Sequence, residues 1–179
     1  MLVRSTDGGK SWTPPVCVTG AGERLRDGMV GVAETWDCQR GSEALILVME
    51  TTRRRVFSVE AAVSYDKGQS FGSRQVVYEA RDGKNAGAPQ VASFRDGSVA
   101  VVFMTDEDAV GESKWPRGAK VKVVFSGPPV NGEFRWTTPE VVGDAASSWP
   151  GVMRVADGSV LAVYEFSSSI RGRILKLAA

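Results

Sequence analysis

Ser64-Tyr65-Asp66-Lys67-Gly68-Gln69-Ser70-Phe71 repeats the internal spacing of Ser5-Thr6-Asp7-Gly8-Gly9-Lys10-Ser11-Trp12. Both stretches read Ser-x-Asp-x-Gly-x-Ser-aromatic, and each position has a mechanical role. The Asp accepts hydrogen bonds from amides of its own turn. The Gly takes the positive φ that a tight hairpin requires. Trp12 or Phe71 then opens the next strand with a large apolar anchor. The pattern predicts two hairpins, with Asp7 and Asp66 in structural roles.

Strand signals surround both turns. Leu2–Ser5 and Val16–Thr19 flank the first, and Val56–Val63 and Ser73–Tyr78 flank the second. Two further apolar segments, Gly28–Ala33 and Ala44–Met49, precede the second turn, with Trp36, Asp37 and Gly41 expected in the loop between them. The order then recurs in Ala88–Phe94, Val99–Met104, Lys120–Phe125 and Glu140–Val142. A third round starts at Trp149-Pro150-Gly151 and ends at Ile174–Leu177. Ser126–Trp136 stands where another Asp turn belongs, but without its Asp and with Pro128-Pro129 inserted.

The repeat is regular. Ser64 follows Ser5 by 59 residues, and Pro150 follows Pro89 by 61, as Asp157 does Asp96. A period of about 60 with four strands per unit, and no amphipathic helix, predicts an all-β chain of propeller blades. Residues 1–179 read as one incomplete β-propeller domain: an outer hairpin at 1–20, then blades at 26–80, 86–143 and 148–179. A closed ring needs at least about four blades. The chain is therefore expected to be part of a larger propeller, or to self-associate through exposed blade edges.

Composition narrows the chemistry. The 179 residues are enough for a real core. With 22 basic and 21 acidic residues, no nucleic-acid partner is expected. No run of about 18 apolar residues suggests a membrane span, and Met1-Leu2-Val3-Arg4 lacks a signal-peptide pattern. The chain has no histidine, which excludes Ser-His triads and His-ligated metals. Cys17 and Cys38 are too few for a zinc site, and leave a disulfide and two thiols equally open. No metal or cofactor is expected.

In such a fold, the openings of first strands and the closings of second strands gather at one rim. Those positions hold Arg26-Asp27-Gly28-Met29, Ala88-Pro89-Gln90 and Trp149-Pro150-Gly151 at the openings. At the closings stand Met49-Glu50-Thr51, Met104-Thr105-Asp106-Glu107-Asp108 and Tyr164-Glu165-Phe166. Carboxylates, an Arg and aromatics in one hollow suit a polyhydroxylated ligand, and glycoside hydrolysis needs two carboxyl groups. Each residue also has a plainer reading. Glu50 could be a solvated or Arg-paired rim residue, Arg26 an ion-pair partner of Asp27, and Asp106–Asp108 a solvated loop. Trp149 could pack between blades. Glu165 is the weaker counterpart of Glu50, and Glu34 reads as surface.

The two turns resemble the Asp-box, or BNR repeat, of sialidase-type propellers. Arg26–Ala33, Val48-Met49-Glu50, Asn85–Val91, Phe103–Asp108 and Trp149-Pro150-Gly151 together resemble the fungal exo-arabinanases. The resemblance spans nearly the whole chain and implies the C-terminal half of a six-bladed, secreted, retaining exo-α-1,5-arabinanase. It implies a catalytic role for Glu50, with nucleophile and acid/base both open, and places the second catalytic glutamate upstream of this chain. Arg26, Asp27, Asp106, Glu107 and Trp149 would then contact an oligo- or polysaccharide substrate. The isolated chain could accordingly be inactive. The alternatives are a sialidase, whose Phe/Tyr-Arg-Ile-Pro opening is absent here, or a non-catalytic Asp-box propeller that binds glycan or protein.

Overall fold

The computed structural model describes residues 1–18, 27–52, 56–112, 115–144 and 146–177, with Asp27 through its backbone alone. Eleven strands follow one another: β1 (Asp27–Asp37), β2 (Ser42–Thr51), β3 (Ser58–Ser64), β4 (Gln75–Tyr78), β5 (Ala86–Ser93), β6 (Val99–Thr105), β7 (Lys120–Ser126), β8 (Glu140–Gly143), β9 (Ser147–Arg154), β10 (Val160–Phe166) and β11 (Ser169–Leu175). They form three antiparallel meanders, β1-β2-β3-β4, β5-β6-β7-β8 and β9-β10-β11. No helix occurs among the described residues. The chain is an all-β partial propeller.

Alternation along the second strands stacks the sheets. All seven residues of β6 are buried. Val99, Val101 and Phe103 join Ile46, Val48, Ala61 and Val63 in one core. Ala100, Val102 and Met104 join Val160, Ala162 and Tyr164 in another. Period-two side-chain direction thus lets a continuous apolar run seal both faces of a middle blade. Phe103 is fully buried and packs on Tyr78 at 4.6 Å between ring centroids.

The other face of the first sheet, at Leu47, Met49 and Ala62, is covered by Leu2, Val18 and Phe71. The N-terminal hairpin supplies two of those residues, although its strands reduce to one bridge, Leu2↔Val16. The expected strand at Val16–Thr19 runs past the described residues at Thr19. The outward face of the last sheet has no cover among the described residues, leaving Met153, Ile170 and Ile174 exposed.

The two Asp turns are built alike. Asp7 Oδ1 accepts from the amides of Lys10 and Ser11, and its Oδ2 accepts from Ser11 Oγ at 2.6 Å. Asp66 repeats this with Gln69, Ser70 and Ser70 Oγ. The Ser11 and Ser70 hydroxyls, reinforced by the amides, hold both carboxyls down to about 2. Gly9 and Gly68 take φ of 87° and 81°.

At the third position, where the sequence has lost the Asp, a tight turn forms between Val130 and Glu133, with Asn131 and Gly132 both at positive φ. It docks on the first sheet. Gly132 N–H donates to Asp37 Oδ2 at 3.0 Å, and Gln75 brackets the turn through Gly132 O and Phe134 N–H. Trp36 and Asp37, expected in a loop, instead end β1, because the ladder continues through Trp36↔Glu43 and Asp37↔Ser42. Asp37 then accepts from the Gln39 and Arg40 amides and closes the turn itself. Cys17 and Cys38 are exposed thiols.

Candidate functional site

All three innermost strands break register near their opening. β1 shifts between Gly28 and Val30, and β5 between Gly87 and Gln90. The β9–β10 ladder shifts between Val163 and Glu165, opposite Trp149-Pro150. Met29, Ala88 and Trp149, at these breaks, have φ of 31°, 50° and 49°. Such residues cost about 1–3 kcal/mol each and tend to lie where a bulge re-aims side chains. Pro89 and Pro150 carry no N–H for the ladder, which favours irregularity there. Gly28, Ala88-Pro89 and Trp149-Pro150 were visible in the sequence as strand openings. Their shared bulge was not, although Gly and Pro inside a strand signal it.

Glu50 lies against the first two of these bulges. It pairs across the ladder with Gly28 and with Val59. Its residue is only 7 % exposed, and Oε2 accepts from Ala88 N–H at 3.1 Å. Gly87 makes the space: a methyl there would come within 2.9 Å of Cδ and closer still to Oε2, whereas one at Gly28 would stand in ordinary contact, 3.7 Å from Oε1. The carboxylate is thus wedged between the innermost strands of two blades, and the left-handed backbone of Ala88 presents its amide to it. A shielded carboxylate is expensive unless its oxygens are satisfied. The Glu50 carboxylate is therefore held in place, contrary to the plain reading of a solvated rim residue.

We expect Gly87→Ala to displace Glu50 and to lower stability by about 1–3 kcal/mol, an overpacking cost. Denaturant unfolding measures the loss, and an unchanged midpoint would contradict the wedge. Gly127→Ala, with nothing within 4 Å and no left-handed backbone to strain, isolates the intrinsic effect of a methyl.

Ladder position relates Glu50 to the other blades. Met104 pairs with Gly87, and Glu165 pairs with Ser148. Glu50, Met104 and Glu165 therefore hold one structural position on successive sheets. Ser148 Oγ reaches Glu165 Oε2 at 3.5 Å. Trp149 sits beside it at 48 % exposure, open rather than packed between blades.

The Asp106–Asp108 run is occupied differently. Asp106 is fully buried and accepts from Asn85 N–H at 2.7 Å, while its own N–H returns to Asn85 O. Glu107 accepts from Tyr78 Oη, from Arg81 Nε at 2.8 Å and from Arg81 N–H, and pairs with Lys122 at 3.3 Å. Asp108 pairs with Lys120 and Lys122. These carboxylates bind the end of the first sheet to the second, so the plainer reading of a solvated loop does not describe them. Arg26 lies outside the described residues. Asp27 pairs with Thr51 in the ladder, and its side chain is not described.

Burial opposes ionisation of Glu107, but Tyr78, Arg81 and Lys122 outweigh it and hold the carboxyl down to about 2. A folded pKa below the ordinary glutamate value means stability that is present above that value and lost as pH falls. We expect the unfolding free energy to drop between about pH 4.5 and about 2, and Glu107→Gln to flatten that limb. Urea unfolding at several pH values measures both.

Two solved structures share this architecture. One is a protein of unknown function from Dyadobacter fermentans DSM 18053, with a TM-score of 0.69 and 24% identity, covering 97% of this chain and 47% of that one. The other is an endo-arabinase from Bacteroides thetaiotaomicron VPI-5482, with a TM-score of 0.53 and 14% identity, covering 94% of this chain and 62% of that one. They share its fold. The chain spans about half the length of the first and under two thirds of the second. A scan against protein-family models and a search of the curated proteins both return no match. The likeness to a carbohydrate-active enzyme is distant and structural. It rests on the arrangement of sheets.

Proposed function

We propose that this chain is part of a carbohydrate-active propeller, a secreted glycoside hydrolase of the retaining exo-α-1,5-arabinanase type, with Glu50 as one of its two working carboxyl groups. The observation that carries the reading is the wedged Glu50 carboxylate, held by Ala88 N–H between two bulged innermost strands. A retaining enzyme sets two carboxyls about 5–5.5 Å apart, one attacking the anomeric carbon and one protonating the leaving oxygen. The sequence resemblance puts the second glutamate outside residues 1–179. Sugar binding is thus the property expected of this chain by itself, and hydrolysis that of a longer polypeptide containing it. Trp149, exposed beside Glu165, offers a face for a sugar ring, and Asp27 opens the strand that pairs with Glu50's neighbour Thr51. The engaged contacts of Asp106 and Glu107 favour an architectural role over ligand binding.

Titration of the chain with α-1,5-arabinohexaose, followed by NMR, tests this. Saturable shifts at the Ala88 amide and the Trp149 indole are expected, with affinity falling about tenfold in Trp149→Ala, equivalent to about 1.4 kcal/mol. Unmoved resonances at both positions would refute the site. A non-catalytic glycan binder is the second reading. It is favoured by the presence of only one wedged carboxylate among the described rim residues, and it predicts the same shifts without sugar release in any longer form.

A further inference from the structure

A second groove opens at the opposite end of the blades, and nothing in the proposed reaction uses it. β1 runs from Gly28 at the Glu50 rim to Trp36 at the far end, a distance of about 25 Å for an extended strand. There Glu34, Trp36, Glu43, Lys67, Arg95 and Arg154 line a cavity of about 600 Å³. The groove draws on all three sheets. Glu34 and Trp36 come from β1, Glu43 from β2 and Lys67 from the second Asp turn. Arg95 comes from the β5–β6 turn and Arg154 from the end of β9.

The groove is built rather than incidental. Thr35 Oγ1 donates to Gly97 O at 2.5 Å across the sheets. Gly97 lies against the backbone of Trp36, where an added methyl would stand 3.1 Å from Trp36 Cβ. The tryptophan is therefore fixed at its base, while the residue stays 43% exposed. Arg95 is braced by its bond to Ala156 O at 2.8 Å. Glu34, Glu43, Lys67 and Arg154 form no ion pair among the described residues, although they share one wall.

We infer that this groove binds a neutral oligosaccharide chain, as a site separate from Glu50. An open indole gives a flat apolar face for the C–H surface of a sugar ring. Glu34 and Glu43 accept from sugar hydroxyls, and Lys67, Arg95 and Arg154 donate to them. Two acidic and three basic groups nearly cancel, so the groove has no strong field to select a polyanion. Arabinohexaose as the probe rests on the function proposed above, whereas the groove itself does not.

The test follows the indole N–H signals of Trp36 and Trp149 while the full chain is titrated with α-1,5-arabinohexaose and, separately, with tri-galacturonic acid. Saturable movement of the Trp36 signal with the neutral sugar is expected. Affinity there should fall about tenfold in Trp36→Ala and severalfold in the change Glu43→Ala at an exposed position, with Trp149→Ala leaving it unchanged. The Glu43 variant keeps the test decisive if the Trp36 variant fails to fold. An unmoved Trp36 signal, undiminished affinity in Glu43→Ala, or tighter binding of the anionic sugar overturns the inference. If only the Trp149 signal moves, this inference falls and the Glu50 site stands. If only the Trp36 signal moves, the reverse holds.

Discussion

On the proposed function, Glu50→Gln in a longer polypeptide that contains this chain is expected to lower arabinan turnover about a thousandfold or more while leaving the melting temperature nearly unchanged. The amide has almost the same shape as the carboxylate, and its oxygen can still accept from Ala88 N–H, which now bonds Oε2 at 3.1 Å. The cradle of Gly28 and Gly87 therefore still fits. What is lost is chemical. An amide neither attacks an anomeric carbon nor gives up a proton to a leaving oxygen, and both possible roles of Glu50 need one of these. Release of reducing sugar from linear arabinan measures the effect. Near-wild-type rates would remove Glu50 from the reaction, even with the wedge intact. Glu165→Gln is the control: it stands at the same ladder position two blades on and is expected to change the rate far less.

Asp37→Ala is the largest stability loss we expect, about 3–5 kcal/mol, because several donors stranded together cost about 1–3 kcal/mol each. Asp37 is fully buried. Its Oδ2 accepts from Tyr65 Oη at 2.5 Å and Gly132 N–H at 3.0 Å, and its Oδ1 from the Gln39 and Arg40 amides. One carboxylate thus joins the end of β1, the second Asp turn and the tight turn of the next blade. Truncation strands several donors at once, and unmade buried hydrogen bonds cost more than made ones contribute. Arg40 also lies 4.1 Å above the Tyr65 ring and loses its frame. Burial opposes ionisation of Asp37, but the Tyr65 hydroxyl and the amides prevail and lower its pKa. Its contribution is then present above the ordinary aspartate range and lost as pH falls below it. Asp37→Asn should be milder, since an amide oxygen still accepts. A loss under about 1 kcal/mol in urea unfolding of Asp37→Ala would show the latch to be idle.

The legible and illegible parts of the chain divide on physical grounds. The Asp turns could be read directly, because Ser5–Trp12 and Ser64–Phe71 bond within themselves and need no distant partner. The same is true of β6, where an unbroken apolar run needs cover on both faces. The latch role of Asp37 was not legible because its partners Tyr65 and Gly132 lie 28 and 95 residues away. Glu107 and Glu50 looked alike as acids closing apolar strands. What separates them is the company each keeps: Arg81 and Lys122 neutralise Glu107 and Tyr78 donates to it, whereas Glu50 meets glycine backbones and the amide of Ala88. The bulges at Met29, Ala88 and Trp149 depend on ladder register, which spacing along the chain does not encode.

A crystal structure of the chain grown with α-1,5-arabinohexaose would test the central claim most directly. The account predicts sugar density at the bulged rim, with a hydroxyl or ring oxygen within hydrogen-bond distance of the Glu50 carboxylate and a ring against Trp149. A structure in which Glu50 still sits under Ala88 while that rim stays bare at saturating ligand would contradict it.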